Sequence, residues 1–369
     1  MSRLKIMPIV GVRPQIIKAA PLIKLLNKHR KIELQLLHTG QHYDSEMSRA
    51  FFRDFDLPRP LVNLGVGSGT HAQQTAVMMI GIEKALFRYK PDVALVFGDA
   101  NTALAGALAA AKIRIPTAHI ESGLRSGNLE MPEEVNRILV DHCSDMLFAP
   151  TKLAERNLLR EGISSKSVFH VGDTMVDAML QWRKAIQSST VLNRLALEPE
   201  SYMVLTTHRA ENVDDRRRLS AIISAVLKIG VLAAFPVHPR TRRNLHQFGL
   251  WPKVSQSRCI LPIEPLDYMD TLCLMKNSRI VLTDSGGMQK EAFLLQVPCL
   301  TLRNETEWLE TVALNANRLV GVDTSRIVKE ATRLLADRDA KKRLSRLKNP
   351  FGDGQASKRM LTTLLREFR

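Results

Sequence analysis

Most features that mark membrane, secreted, metal-binding or nucleic-acid-binding chains are missing from this sequence. No apolar run approaches the roughly 20 residues that a membrane-spanning helix needs, although hydrophobic residues make up 45% of the chain. The opening MSRLKIMPIV lacks the long apolar core and cleavage site of a signal peptide, so a cytoplasmic location and no membrane partner are expected. The four cysteines, Cys143, Cys259, Cys273 and Cys299, form no CxxC and have no histidine-rich spacing around them. That pattern argues against a metal site and a disulfide framework, and for thiols kept reduced. Aromatic residues are only 5% of the chain and do not interleave with the basic stretches LNKHRK, DDRRRL, RTRRN and AKKRLSRLK. The stacking platform of a nucleic-acid binder is therefore missing, and no nucleic-acid partner is expected.

Acidic residues are also in short supply, 37 against 53 Lys and Arg, leaving a formal charge of +16. A surplus of this sign favours anionic partners such as nucleic acid, acidic lipid or phosphorylated metabolites, and does not choose among them. A dinucleotide fingerprint is absent too. GVRPQIIKAAP, after the first strand-like run, has one glycine where G-x-G-x-x-G has three, and no acidic residue follows the second strand at the required spacing. No nicotinamide cofactor is expected.

What is present is a regular alternation. The short apolar runs LKIMPIV, ELQLLH, DVALVF, PTAHI, MLFA and VFHV are separated by longer stretches of helical period. A second set begins near residue 202 with YMVLTT, AAFPV, RCILP, RIVLT, PCLTL and RLVGV. Strands alternating with helices predict parallel sheets covered on both faces, and 369 residues exceed what one core usually serves. The reading is an α/β protein with two Rossmann-like domains facing a central cleft. The domains are placed at 1–175 and 176–348, with the boundary region between Val176 and Thr190.

Ligands of such sheets sit beyond the carboxyl ends of the strands, so the residues just after each strand carry the functional information. After the first strand, Gly11 permits a turn, Pro14 suits a first helical turn, and Arg13 and Lys18 either bind an anion or line a solvated helix start. HTGQHYD after the second strand contains His42, which reads as a site residue or as part of an ordinary turn. FGDANTALAG sets Gly98 and Asp99 at the third strand tip, with Asn101, Thr102 or Asp99 itself as helix cap. HIESGLRSGNLEMPEEVNR gathers His119, Glu121, Arg125, Glu130, Glu133, Glu134 and Arg137 into 19 residues. Carboxylates crowded together have their pKa values pushed apart, which suits one as general base and another as general acid. In the second domain THRAENVDD and VHPRT bring His208 and His238 to strand ends. TDSGGMQKE places Ser285, Gly286 and Gly287 at a helix start where amides, hydroxyl and dipole hold a phosphate, with Glu291 one turn on as a ribose acceptor.

Taken together these stretches resemble the non-hydrolysing UDP-N-acetylglucosamine 2-epimerases. The matching segments run in order along nearly the whole chain: GVRPQIIKAAP, TGQHYD, GDANTALAGALAA, HIESGLRS, MPEEVNR, THRAEN, HPR, TDSGGMQKEA, TLRNETEWLE and NPFGDGQAS. The resemblance implies the two-domain architecture of B-type glycosyltransferases, with residues from about 349 to 369 folding back onto the first domain. It also implies a reaction: UDP is eliminated as the C2 proton is removed, leaving a 2-acetamidoglucal, and UDP re-adds after C2 is reprotonated from the other face. No cofactor or metal is implied, and a homodimer is. Asp99, Glu121, Glu133, His208 and Lys18 match the family's catalytic positions. Arg13, His42, Arg137, His238, Ser285, Gly286, Gly287 and Glu291 match its substrate and UDP site.

The sequence departs from the common family pattern at Val12, Gln15, Ala100 and Trp308. RPQ, QKEAF and TEWLE are similar to the branch acting on UDP-2,3-diacetamido-2,3-dideoxy-glucuronic acid, so that substrate stands as the alternative. A glycosyltransferase of the same architecture would share the DSGG helix start but would need an acceptor site and usually one base. A nucleotide-sugar-binding protein without catalysis would have no use for three carboxylates.

Overall fold

The computed structural model describes residues 3–41, 52–53 and 55–368. The chain divides into two units, residues 1–181 with 349–369, and residues 182–348.

In the first unit, β1 (Leu4–Val10), β2 (Ile32–Leu34), β3 (Leu37–His38), β4 (Val62–Asn63), β5 (Val93–Phe97), β6 (Thr117–Ile120), β7 (Met146–Ala149) and β8 (Val168–His170) form one sheet. Its order is β4-β3-β1-β5-β6-β7-β8, with β2 also paired to β1, and every pairing is parallel. The run ELQLLH, expected as one strand, is split into β2 and β3, and the Gln35 amide between them bonds the Ile6 carbonyl at 2.9 Å. The helices are α1 (Arg13–Lys28), α2 (His71–Tyr89), α3 (Asn101–Lys112), α4 (Pro132–Cys143), α5 (Lys152–Arg160) and α6 (Thr174–Gln181). All five residues of β5 are buried, as the unbroken run VALVF demands of a central parallel strand. Over it lies α3, whose buried face is largely alanine, so its axis can come close to the sheet.

In the second unit, β9 (Met203–Thr206), β10 (Ala233–Pro236), β11 (Ile260–Ile263), β12 (Val281–Thr283), β13 (Cys299–Thr301) and β14 (Asn317–Leu319) form a second parallel sheet, ordered β11-β10-β9-β12-β13-β14. Counted within the unit this is the Rossmann order 3-2-1-4-5-6. Its helices are α7 (Arg183–Ser188), α8 (Val191–Arg194), α9 (Ala210–Val213), α10 (Arg216–Ile229), α11 (Pro239–Gln247), α12 (Trp251–Ser255), α13 (Tyr268–Lys276), α14 (Gly286–Leu294), α15 (Leu309–Ala313), α16 (Thr324–Ala336) and α17 (Ala340–Leu344). Leu205, Phe235, Leu282 and Leu300 from the strands meet Leu219, Ile223 and Ile327 from α10 and α16 in its core.

The chain then returns to the first unit through α18 (Ala356–Glu367), which packs on α1 and α6. The Asp177 carboxylate accepts from the Ala356 and Ser357 amides at 3.2 and 2.9 Å, closing the α18 N-terminus. Among the described residues no helix is long and apolar enough to cross a membrane.

Candidate active site

Each sheet has a topological switch point, where neighbouring strands send their connections in opposite directions and a crevice opens. In the first unit it lies between β1 and β5, so the segments after Val10 and Phe97 sit side by side. Gln15, at a departure from the family pattern, joins them. Its side-chain oxygen accepts from the Gly11 and Val12 amides at 2.9 and 3.3 Å, and its nitrogen donates to the Phe97 carbonyl at 2.7 Å. A glutamate here could accept the first two bonds but could not donate the third.

A cavity of about 260 Å³ opens at this point, lined by Lys18, Gln41, His71, Asp99, Glu133 and Asn136 among others. Lys18 reaches into it from α1 and pairs with Glu121 at the end of β6. Glu121 is buried and holds φ +71°, a left-handed backbone that costs a side-chain-bearing residue about 1–2 kcal/mol. Its amide and that of Ser122 both bond the Phe148 carbonyl, at 3.2 and 3.3 Å, which holds the turn. A Cβ on Gly98 would lie 3.2 Å from Glu121 Oε2 and 3.5 Å from Lys18 Nζ, so the absence of a side chain there leaves room for the pair.

Asp99, half-buried, follows Gly98 and is bound by Arg137 of α4 at 2.6 Å. Arg137 also holds Glu134 at 2.8 Å, and Glu134 accepts from the Ser126 and Gly127 amides. Burial alone would raise the Asp99 carboxyl, but the charges of Arg137 and Lys18 outweigh it and hold the group below the usual carboxylate range. Asp99 is therefore ionised at neutral pH and free of a proton, so it can accept one. Glu134 is lowered as well, its burial outweighed by the Ser126 amide and Arg137. Glu133 lines the cavity from the first turn of α4.

Asn136 lies one helical turn beyond Glu133, donating to the Asp99 carbonyl at 2.8 Å and to the Asn101 side chain at 3.2 Å. The reading from sequence missed Asn136, His71 and Gln41. For Asn136 the i, i+3 spacing from Glu133 in MPEEVNR was an available signal. The expected side-chain cap of α3 is not formed. Ala100 occupies that position and has no polar side-chain atom to offer, while Asn101 and Thr102, already inside the helix, donate to Gln74 and Gln41 at 2.9 and 2.8 Å. Arg13 stands half-buried at the start of α1. His42 lies outside the described residues.

In the second unit the switch point lies between β9 and β12. Asp284 at the tip of β12 is fully buried and accepts from Thr207 Oγ1 at 2.7 Å, the His208 and Arg209 amides at 3.1 and 3.0 Å, and Asn212 Nδ2 at 3.1 Å. It thus shapes the segment after β9. His208 Nδ1 lies 3.4 Å from Asp284 Oδ1, and the His208 ring is tilted against that of His238 with centroids 5.7 Å apart. Next to Asp284, Ser285 begins α14 without capping it by its side chain, and Gly286 and Gly287 are the first two helical residues. Amides and the positive end of the helix dipole there suit a phosphate. Glu291, one turn on, is buried and accepts from the Tyr268 hydroxyl at 3.0 Å. Trp308, one of the departures from the family pattern, covers the buried ammonium of Lys290 4.1 Å from its ring centroid. Among the described residues no group of three or more His, Cys, Asp or Glu is placed to hold a metal ion.

A sequence model of the family described as "UDP-N-acetylglucosamine 2-epimerase" matches residues 24–365. The UDP-N-acetylglucosamine 2-epimerase of Methanocaldococcus jannaschii is 46% identical, with 98% of this chain and 99% of that one covered. The UDP-2,3-diacetamido-2,3-dideoxy-D-glucuronate 2-epimerase of Pseudomonas aeruginosa is 42% identical, covering 97% and 98%. A crystal structure of the M. jannaschii UDP-GlcNAc 2-epimerase with UDP-GlcNAc and UDP superposes with a TM-score of 0.91 at 45% identity, covering 98% and 100%. A likeness of fold alone, TM-score 0.63 at 13% identity, extends to the Phytolacca americana UGT2 complexed with UDP-2fluoro-glucose and pterostilbene.

Proposed function

The chain belongs to the UDP-N-acetylglucosamine 2-epimerase family, and from that premise we propose that it interconverts UDP-N-acetylglucosamine and UDP-N-acetylmannosamine without hydrolysis. The observation that carries this reading is the ionised Asp99, held by Arg137, in one cavity with Lys18 and Glu133 and beside the Lys18–Glu121 pair. A binding protein has no need to keep carboxylates so arranged.

In the proposed reaction a carboxylate of the first unit takes the C2 proton. The electron pair forms the C1=C2 bond, and the C1–oxygen bond breaks, with its electrons leaving on UDP. Reversal from the other face returns a proton to C2 and UDP to C1. Removing and returning hydrogen on opposite faces calls for more than one acid–base group, a role assigned to Asp99, Glu121 and Glu133. Lys18 stabilises the carboxylate pair, and Arg13 and His42 contribute to substrate binding. Ser285, Gly286 and Gly287 hold the diphosphate, with His208 and His238 beside it stabilising departing charge, and Glu291 takes the ribose.

The protein works as a homodimer in the cytoplasm under this proposal. Supporting the dimer, Val77, Ile80 and Phe87 of α2 and Val135 and Leu139 of α4 are large apolar side chains left exposed on the helices flanking α3. Supporting the compartment, all four cysteines are free thiols.

The test is incubation of UDP-N-acetylglucosamine with the protein in heavy water, read by proton NMR. Deuterium enters C2 and the manno isomer appears with UDP still attached. Lack of both overturns the reading, and release of free sugar with UDP would indicate hydrolysis instead. Running the diacetamido uronate in parallel decides the branch, with faster turnover of the N-acetylglucosamine nucleotide expected.

A further inference from the structure

We propose that His119 is a positioning residue for Asp99, held as an imidazolium that clamps the Gly98–Asp99 turn. The inference rests on the function proposed above for its kinetic part only.

The His119 ring has no exposure to solvent, and on β6 the residue pairs with Val96 of β5 and Leu147 of β7, both apolar. Its two nitrogens have defined partners. Nε2 lies 2.9 Å from the Gly98 carbonyl oxygen, which can only accept, so Nε2 carries a hydrogen. Nδ1 lies 2.6 Å from Asp141 Oδ1 of α4, whose other oxygen accepts from the Gly123 amide at 3.0 Å and from Arg125 at 2.7 Å. A carboxylate so held accepts from Nδ1, so both ring nitrogens donate and the ring is charged. Arg125 is itself fixed by both oxygens of Glu161, at 2.7 and 2.6 Å.

The consequence falls on Gly98. This residue takes φ +62°, its amide bonds the Ile120 carbonyl at 2.9 Å, and its carbonyl is the one that His119 holds. The turn is thus tied to β6 through both of its polar groups, and Asp99 is the next residue. Because Lys18 Nζ and Glu121 Oε2 lie against the open side of Gly98, displacement of the turn would disturb the Lys18–Glu121 pair together with Asp99. A side chain that touches no substrate would in this way set the geometry of two acid–base groups.

The charge is tested on the wild-type protein labelled with ¹⁵N-histidine. At pH 7.5 one histidine should show both nitrogens in the protonated range and a far-downfield proton, and that signature should vanish in His119→Gln. A His119 with one nitrogen in the lone-pair range overturns the proposal. In the kinetic arm, His119→Gln and Asp141→Asn should each lower kcat by ~10–100-fold, the scale of a sub-ångström to 1 Å misplacement, while KM stays within about threefold. Wild-type kcat in both variants overturns the positioning role, as does a loss that matches the fall in folded fraction measured by denaturation. If wild type itself shows no C2 exchange, the epimerase reading fails while the NMR result still decides the ring's charge.

Discussion

The two glycines that begin α14 should respond oppositely to the same substitution. Replacing glycine by alanine in a helix ordinarily stabilises by about 0.5–1 kcal/mol, through propensity and reduced freedom of the unfolded chain, and neither Gly286 nor Gly287 has a positive φ that would forbid it. At Gly286, however, the new methyl would fall inside the van der Waals shell of Glu307 Oε1 and lie 3.1 Å from its Cδ. Glu307 is buried and pairs with Arg303 at 3.3 Å, and Arg303 is only 1% exposed. Relief requires the carboxylate to turn away. Overpacking of this kind costs about 1–3 kcal/mol, and weakening a buried pair adds to it. Arg303 keeps Glu211 and Glu305 at 3.9 Å, which limits the second contribution. Gly286→Ala should therefore destabilise by about 2 kcal/mol net. At Gly287 the nearest atom is Ser285 Oγ at 4.0 Å, so Gly287→Ala should stabilise by up to about 1 kcal/mol. The same methyl would crowd the helix amides, so UDP affinity should fall in calorimetry although the protein is more stable in urea. A Gly286→Ala variant at least as stable as wild type would refute the packing argument, and a Gly287→Ala variant with undiminished UDP affinity would remove the diphosphate from this helix.

Asp99→Asn, Glu121→Gln and Glu133→Gln should each lower C2 exchange by ~100-fold or more, and full activity in all three would remove the acid–base assignment. Because Asp99 is held below the usual carboxylate range, its contribution to stability is complete above its unfolded value and is lost as pH falls through the lower folded value. Arg137→Gln should raise the Asp99 pKa and move the acid limb of kcat/KM to higher pH; an unmoved limb contradicts the assignment of Asp99 as the base. Asp284→Ala leaves the four donors from Thr207, His208, Arg209 and Asn212 without their acceptor, and should cost about 3–5 kcal/mol in urea unfolding. Phe87→Asp, in the exposed apolar stripe of α2, should shift the protein to monomer in light scattering.

The sequence by itself determined the α/β class and the positions of most site segments, because parallel strands buried on both faces read as short apolar runs and their loops carry polar residues that a buried strand cannot hold. VALVF followed by Gly98 and Asp99 is legible in this way, as is RIVLT followed by DSGG. What only the tertiary structure decided is which of those residues meet. Lys18 and Glu121 are 103 positions apart, and Asp99 and Arg137 are 38 apart; the order of strands across the sheet makes them neighbours, and local pattern does not encode that order. The same holds for Asp284, whose place in TDSGG gave no sign that it accepts from four groups of the segment after β9. It holds as well for Gln15, whose departure from the family pattern is explained by a carbonyl 82 positions away. Short-range chemistry writes the strands, turns and caps, whereas the pairing of buried charges depends on loop closures whose outcome is settled only when the whole sheet assembles.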